Sequence, residues 1–182
     1  QERLAEAKAA MRALADPVLL ALLTGPPGTG KTYTLQRVIG AFKGNEVAIC
    51  APTGKAARRI RELTGWNATT IHKLLQPLPV GNGWHFTRGP GNPIHQSVLV
   101  VDDVSMVPIT LMASLIAAMR PETRLILTGD ANQLPSVGPG AVLRDLMASK
   151  VISHAELSEI KRQAAGSEII HACHAIRAQG IA

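Results

Sequence analysis

VLLALLTGPPGTGKTYTLQRVIGAF spans residues 18–42. A continuous apolar run ends in glycine, and such a run is the pattern of a buried strand. A helical pattern begins at Lys31. Between them, GPPGTGKT (25–32) fits G-x-x-x-x-G-K-T in full, in the strand-to-helix context that this motif requires. The chemistry explains the spacing. Gly28 and Gly30 let successive backbone amides converge on phosphate oxygens. Lys31 offers a cation to the β- and γ-phosphates, the Thr32 hydroxyl can ligate magnesium, and the helix N-terminus adds its partial positive charge. Gly25, Pro26, Pro27, Gly28, Thr29, Gly30, Lys31 and Thr32, with Tyr33 just beyond, are therefore the candidate nucleotide-binding residues.

Outward from this loop, strands and helices alternate. Strands are expected at 18–25, 46–53, 97–103, 124–130 and 151–157, and helices at 31–42, 54–65, 108–119, 140–149 and 167–176. An amphipathic helix is expected at 3–16, ending at Asp16-Pro17. A short helix is expected to start at Thr69 or Thr70. Alternation of this kind indicates a parallel sheet with crossover helices on both faces. Residues 77–96 carry four prolines and four glycines around WHFT and read as a small hairpin or loop outside that sheet. The expected organisation is one α/β domain, 1–76 and 97–182, with 77–96 as an insertion. Trp84 and Phe86, two apart on a presumed strand, read as packing the insertion against the domain.

The 182 residues are 46% hydrophobic, enough for a substantial core, and carry 19 Lys and Arg against 13 acidic residues, a net charge of +6. A modest basic excess is compatible with a polyanionic partner without demanding one. Two cysteines, Cys50 and Cys173, make no disulfide framework, so the chain reads as cytoplasmic and reduced. No apolar stretch reaches the roughly 20 residues that span a bilayer, and no membrane partner is expected. His171, Cys173 and His174 stand at i, i+2 and i+3, which do not converge on a helix, so no metal site is expected there. The chain starts at Gln1 and reads as a piece of a longer protein.

Two further stretches complete a nucleotide site. VLVVDD ends a strand in two carboxylates, of which Asp102 is the expected magnesium partner. LTGD (127–130) is followed by Gln133, a polar side chain past a strand end that can reach a γ-phosphate or an attacking water. Lys55, Arg58 and Arg59 share one helix face, just past a strand end on the phosphate-loop edge of the sheet, where a basic face can meet a nucleic-acid backbone.

GPPGTGKT, APTGKAARRI (51–60), TTIHKLL (69–75), VVDDVSM, LTGDANQLPSVGPGAVLRDL (127–146) and LSEIKRQ (157–163) occur in an order that resembles the first motor domain of superfamily 1B DNA helicases of the RecD type, especially the RecD2-like branch. The likeness runs from about residue 18 to 178. It implies a RecA-like P-loop fold, ATP and Mg2+ as cofactors, single-stranded DNA as partner, and 5′ to 3′ translocation together with a second RecA-like motor domain that this chain does not carry. It implies roles residue by residue. Lys31, Asp102, Asp103, Gln133 and Arg162 act at the reacting phosphate, with Gln133 as γ-phosphate sensor. Thr32 and Asp102 hold the metal. Pro52, Thr53, Lys55, Arg58, Thr70, His72, Pro135 and Ser136 line or adjoin the DNA track.

Two positions depart from the family. Ala7 and Lys8 stand where a glutamine that reads adenine is expected, so weak discrimination among ATP, GTP and CTP is expected. Asp103 stands where the family has Glu, the residue that orients and deprotonates the attacking water. Asp is one methylene shorter, and errors of about 1 Å cost on the order of 100-fold in rate. Slow hydrolysis is therefore expected, improved by Asp103→Glu. A nucleotide-dependent DNA-binding module with weak or no hydrolysis is the alternative reading.

Overall fold

The structure, a computed structural model, describes residues 20–158 apart from 82 and 135. The expected helices at 3–16 and 167–176 lie outside these residues. The strands are β1 (Leu20–Thr24), β2 (Val47–Ala51), β3 (Ala68–Thr70), β6 (Val98–Val101), β7 (Arg124–Gly129) and β8 (Ser153–Glu156). Among the described residues they form one sheet in the order β3-β2-β6-β7-β1-β8, every pairing parallel. The helices are α1 (Lys31–Ile39), α2 (Gly54–Thr64), α3 (Ile71–Leu75), α4 (Ile109–Ala117) and α5 (Val142–Ser149). A separate antiparallel pair, β4 (Pro77–Val80) and β5 (Gly83–Phe86), forms a hairpin.

The apolar runs explain the layering. Side chains alternate across a strand, so β1 sends Leu22 to one face and Ala21 and Leu23 to the other, and β7 splits Leu125 and Leu127 from Ile126 in the same way. The first face packs against Ile71, Leu75, Leu111, Leu115 and Leu143 from α3, α4 and α5. The second packs against Leu35, Val38, Ile39, Ala57 and Ile60 from α1 and α2. Each fully buried Leu or Ile side chain stabilises the fold by about 1.5–3 kcal/mol.

Three boundaries differ from expectation for local reasons. The helix expected through residue 42 ends at Ile39, where Gly40 closes the turn through its N–H to Gln36 and Val38 carbonyls. Ala68, Thr69 and Thr70 pair with Ile49, Cys50 and Ala51 as an edge strand before the short helix begins. Thr70 ends that strand and caps the helix in one residue, its Oγ1 accepting from the Lys73 N–H. Pro108 takes the N-cap position, so α4 starts at Ile109. Gly65 closes α2 as expected, with φ 72° and its N–H on the Arg61 carbonyl.

Candidate nucleotide site and nucleic-acid face

Parallel strands deliver all their C-terminal loops to one edge of the sheet, where ligands of such sheets bind. β1 delivers the phosphate loop, β6 the paired carboxylates and β7 the sensor turn, and these three strands are neighbours. The loop's glycines are required where they stand. Gly28 and Gly30 have φ 83° and 90°, which side chains disfavour. A Cβ on Gly25 would collide with the Leu157 carbonyl. The buried Thr29 hydroxyl donates to the Pro26 carbonyl at 2.9 Å. Lys31 Nζ donates to the carbonyls of Gly25 at 2.5 Å and Pro26 at 3.1 Å, which fixes the ammonium across the loop. Thr32 follows in the first turn of α1. Tyr33 is half exposed, and its hydroxyl accepts from Arg37 Nη2 at 3.1 Å, with the guanidinium also over its ring.

Asp102 leaves β6 with its N–H on the Cys50 carbonyl at 2.9 Å. Its carboxylate accepts a short hydrogen bond from the fully buried Thr128 hydroxyl on β7. Burial pushes the Cys50 thiol up, with the Asp102 charge adding to it. Asp103 has φ 59° and ψ 44° and caps a one-turn 3-10 helix, Val104–Met106. Asp and Asn enter this left-handed region more readily than other side chains. Burial raises the Asp103 carboxyl above its ordinary value, and the charges of Asp102 and, less, Asp130 act the same way. The Ser105 hydroxyl and, less, the Lys31 ammonium act on Asp103 in the opposite direction.

Gln133 sits in a turn built on the buried Asp130. Its N–H donates to the Asp130 carbonyl at 3.1 Å, and Asn132 N–H donates to Asp130 Oδ1 at 3.0 Å. Ser105 Oγ lies 3.2 Å from Asp103 Oδ1 and 3.4 Å from Gln133 Oε1. The turn carrying Ser105 lies against β7 at Gly129, where the Leu143 side chain of α5, rather than the turn, leaves no room for a Cβ. A Cβ there would meet Leu143 Cδ2 at 2.8 Å and lie 3.5 Å from the Ser105 nitrogen. Thr128, Ser105 and Asp130 stand inside VVDDVSM and LTGD, yet those motifs by themselves assign them no role. The one visible signal was Thr128, a polar residue inside an apolar strand.

Mg2+ takes oxygen donors and is usually held by one or two carboxylates together with ligand phosphates. The oriented Asp102 carboxylate and the half-buried Thr32 hydroxyl suit that mode. Among the described residues no group of three or more His, Cys, Asp or Glu makes a metal cage. Arg162, Pro135 and the His171, Cys173, His174 cluster lie outside the described residues, as do Ala7 and Lys8.

Along the same edge, Thr53 follows Pro52 and caps α2, its Oγ1 accepting from the Ala56 N–H at 3.2 Å. Lys55 and Arg59 are exposed. Arg58 is paired with Glu62 at 2.7 Å on the helix surface. His72 is exposed, its ring 5.9 Å from that of Phe86. Ser136 Oγ donates to the Gly138 carbonyl at 2.8 Å. A cleft of about 220 Å³ beside Thr69 is lined by Lys73, Gln76, Arg88 and Gln96. The packing expected of the insertion aromatics divides: Phe86 lies against the core, whereas Trp84 is 74% exposed. Cross-strand pairing sets Trp84 opposite Pro79 near the turn, beyond the reach of the core.

A family model described as an AAA domain matches residues 5–182. The chain belongs to that family. This AAA domain is 43% identical over 159 residues to the ATP-dependent RecD2 DNA helicase of Deinococcus radiodurans, covering 86% of this chain and 21% of that protein. It is 44% identical over 153 residues to the RecBCD enzyme subunit RecD of Mycolicibacterium smegmatis, covering 70% of this chain and 27% of that protein. The domain thus spans 21% of the length of one relative and 27% of the other. Among solved structures it is similar to the Pif1 helicase from Candida albicans, at 25% identity and TM-score 0.71 over 94% of this chain and 43% of that one. It is similar also to the Pif1 helicase from Bacteroides in complex with ADP-AlF3 and single-stranded DNA, at 22% identity and TM-score 0.68 over 97% of this chain and 46% of that one. The AAA domain therefore has the RecA-like P-loop fold and is related to the RecD and RecD2 helicases. No helix among its described residues is long and apolar enough to cross a membrane.

Proposed function

We propose that this domain is one motor unit of an ATP-driven DNA helicase, binding Mg-ATP and single-stranded DNA and coupling hydrolysis to 5′ to 3′ translocation with a second RecA-like domain. The observation that carries this reading is the convergence of Lys31, the Asp102–Asp103 pair and Gln133 from three adjacent strand ends. Lys31 and the loop amides hold the polyphosphate. Thr32 and Asp102 hold the metal, which when bound neutralises charge on the β- and γ-oxygens. Asp103 accepts the proton of the attacking water, and Gln133 senses the γ-phosphate. Arg162 supplies a further cation there. Pro52, Thr53, Lys55, Arg58, Thr70, His72, Pro135 and Ser136 form the DNA face, a reading supported by the position of Thr53, Lys55, Arg58, Thr70 and His72 at or past the ends of β2 and β3. Insertion 77–96 is a reduced accessory unit on the motor.

The test is ATP turnover by the full-length protein with and without single-stranded DNA. Turnover is expected to rise with DNA and to fall at least about 100-fold in Lys31→Ala. DNA-independent turnover would sink the motor reading. The second reading, a nucleotide-dependent DNA-binding module, draws support from the Asp at position 103. It predicts nucleotide-sensitive DNA binding with negligible turnover.

A further inference from the structure

Ser105 has no part in the roles above, yet its Oγ stands between two of them, 3.2 Å from Asp103 Oδ1 and 3.4 Å from Gln133 Oε1. A serine hydroxyl carries one proton and two lone pairs. It donates fully to the carboxylate or to the amide oxygen, not to both. The backbone under Ser105 is fixed by the left-handed Asp103 cap on one side and by Gly129 packing on the other. Redistribution of that proton then needs only rotation of the hydroxyl and of the Gln133 amide, motions that require no backbone shift.

We propose that Ser105 is a positioning residue that passes its one proton between Asp103 and Gln133, and so links access to the Asp103 carboxylate to the direction of the Gln133 amide. The proposal rests on the ATP-hydrolysis reading. When the Gln133 amide N–H donates to Oγ, the hydroxyl donates to Asp103 Oδ1 and covers it. When that N–H engages a phosphate oxygen, the carbonyl end of the same amide takes the hydroxyl proton, and Oδ1 is left open to a water. Nothing is bonded or cleaved in the exchange. One hydrogen bond is traded for another, and the base is uncovered only when the sensor is engaged.

The experiment compares basal and single-stranded-DNA-stimulated ATP turnover in the full-length protein for wild type, Ser105→Ala, Ser105→Thr, Gln133→Ala and the double variant Ser105→Ala, Gln133→Ala. Ser105→Ala is expected to narrow the stimulated-to-basal ratio about tenfold, roughly the effect of one hydrogen bond, by raising the basal rate and lowering the stimulated one. Ser105→Thr retains the hydroxyl and is expected to keep the ratio within about twofold of wild type. The double variant is expected to be no narrower than Gln133→Ala alone, because coupled residues are not additive. An unmoved ratio in Ser105→Ala overturns the proposal, including the case where both rates fall together as simple structural damage would cause. Equal losses in the Thr and Ala variants overturn it as well. Absence of turnover in wild type overturns the hydrolysis reading and this proposal with it. Turnover in wild type with an unmoved ratio overturns this proposal alone.

Discussion

Thr128 is fully buried, and its hydroxyl is spent on Asp102. Outer-shell partners of this kind typically govern metal affinity by 10–100-fold. Thr128→Val keeps the shape and removes the donor, so the Mg2+ concentration for half-maximal turnover should rise by about 10-fold or more, read from a magnesium titration at saturating ATP. Asp103 carries the opposite tension, a carboxyl whose proton affinity in the fold exceeds its ordinary value because of burial and Asp102. Such a group favours the folded state while protonated, and that contribution is lost as pH rises through the raised value. Asp103→Asn has no charge to develop. Thermal melts without magnesium should therefore show the Asn variant gaining on wild type as pH climbs from the ordinary carboxylate range to neutrality, while turnover is abolished. Equal melting profiles across that range would remove burial of the charge as the cause. The same residue revises the expectation for Asp103→Glu. At φ 59° a longer side chain without the local hydrogen bonding of Asp costs up to about 1 kcal/mol. Asp103→Glu should lower the melting temperature without raising turnover.

The hairpin allows a direct contrast between elements. Phe86 packs on the core and beside His72, while Trp84 stands in solvent. In urea unfolding, Phe86→Ala should cost about 1–2 kcal/mol, part of the full burial value, and Trp84→Ala less than about 0.5 kcal/mol. Similar losses would mean that Trp84 is covered in solution. The strands and longer helices were legible because apolar runs and helical spacing leave long signals. β3 was not, because three residues on a sheet edge carry no period of their own and are defined by pairing with β2. The phosphate loop was legible as a motif, and Lys31 does lie across it. The left-handed turn at Asp103 was not legible, because the sign of φ there depends on a 3-10 turn seated against Gly129, on a different strand. Thr53 and Thr70 were legible as polar residues at a strand edge, but their hydroxyls also cap helices. Ala substitutions there will mix about 1 kcal/mol of lost capping with any loss of DNA contact.

At the scale of the molecule, the chain carries a net charge of +6, and exposed cations gather past the ends of β2 and β3. If three of them neutralise phosphates, raising salt from about 50 to 200 mM should weaken single-stranded-DNA binding roughly 20-fold. A flat salt response would place the contacts elsewhere. The strand order has a metric consequence as well. Neighbouring strands run about 4.8 Å apart, and β6, β7 and β1 are consecutive, so the carboxylate turn, the sensor turn and the phosphate loop start within a span of about 10 Å. The sheet is in effect a ruler with the phosphate loop as its zero mark. On the proposed reading, a polyphosphate one unit short would fill the loop at the zero mark without reaching Gln133 further along, so spent fuel would be told from fresh by length.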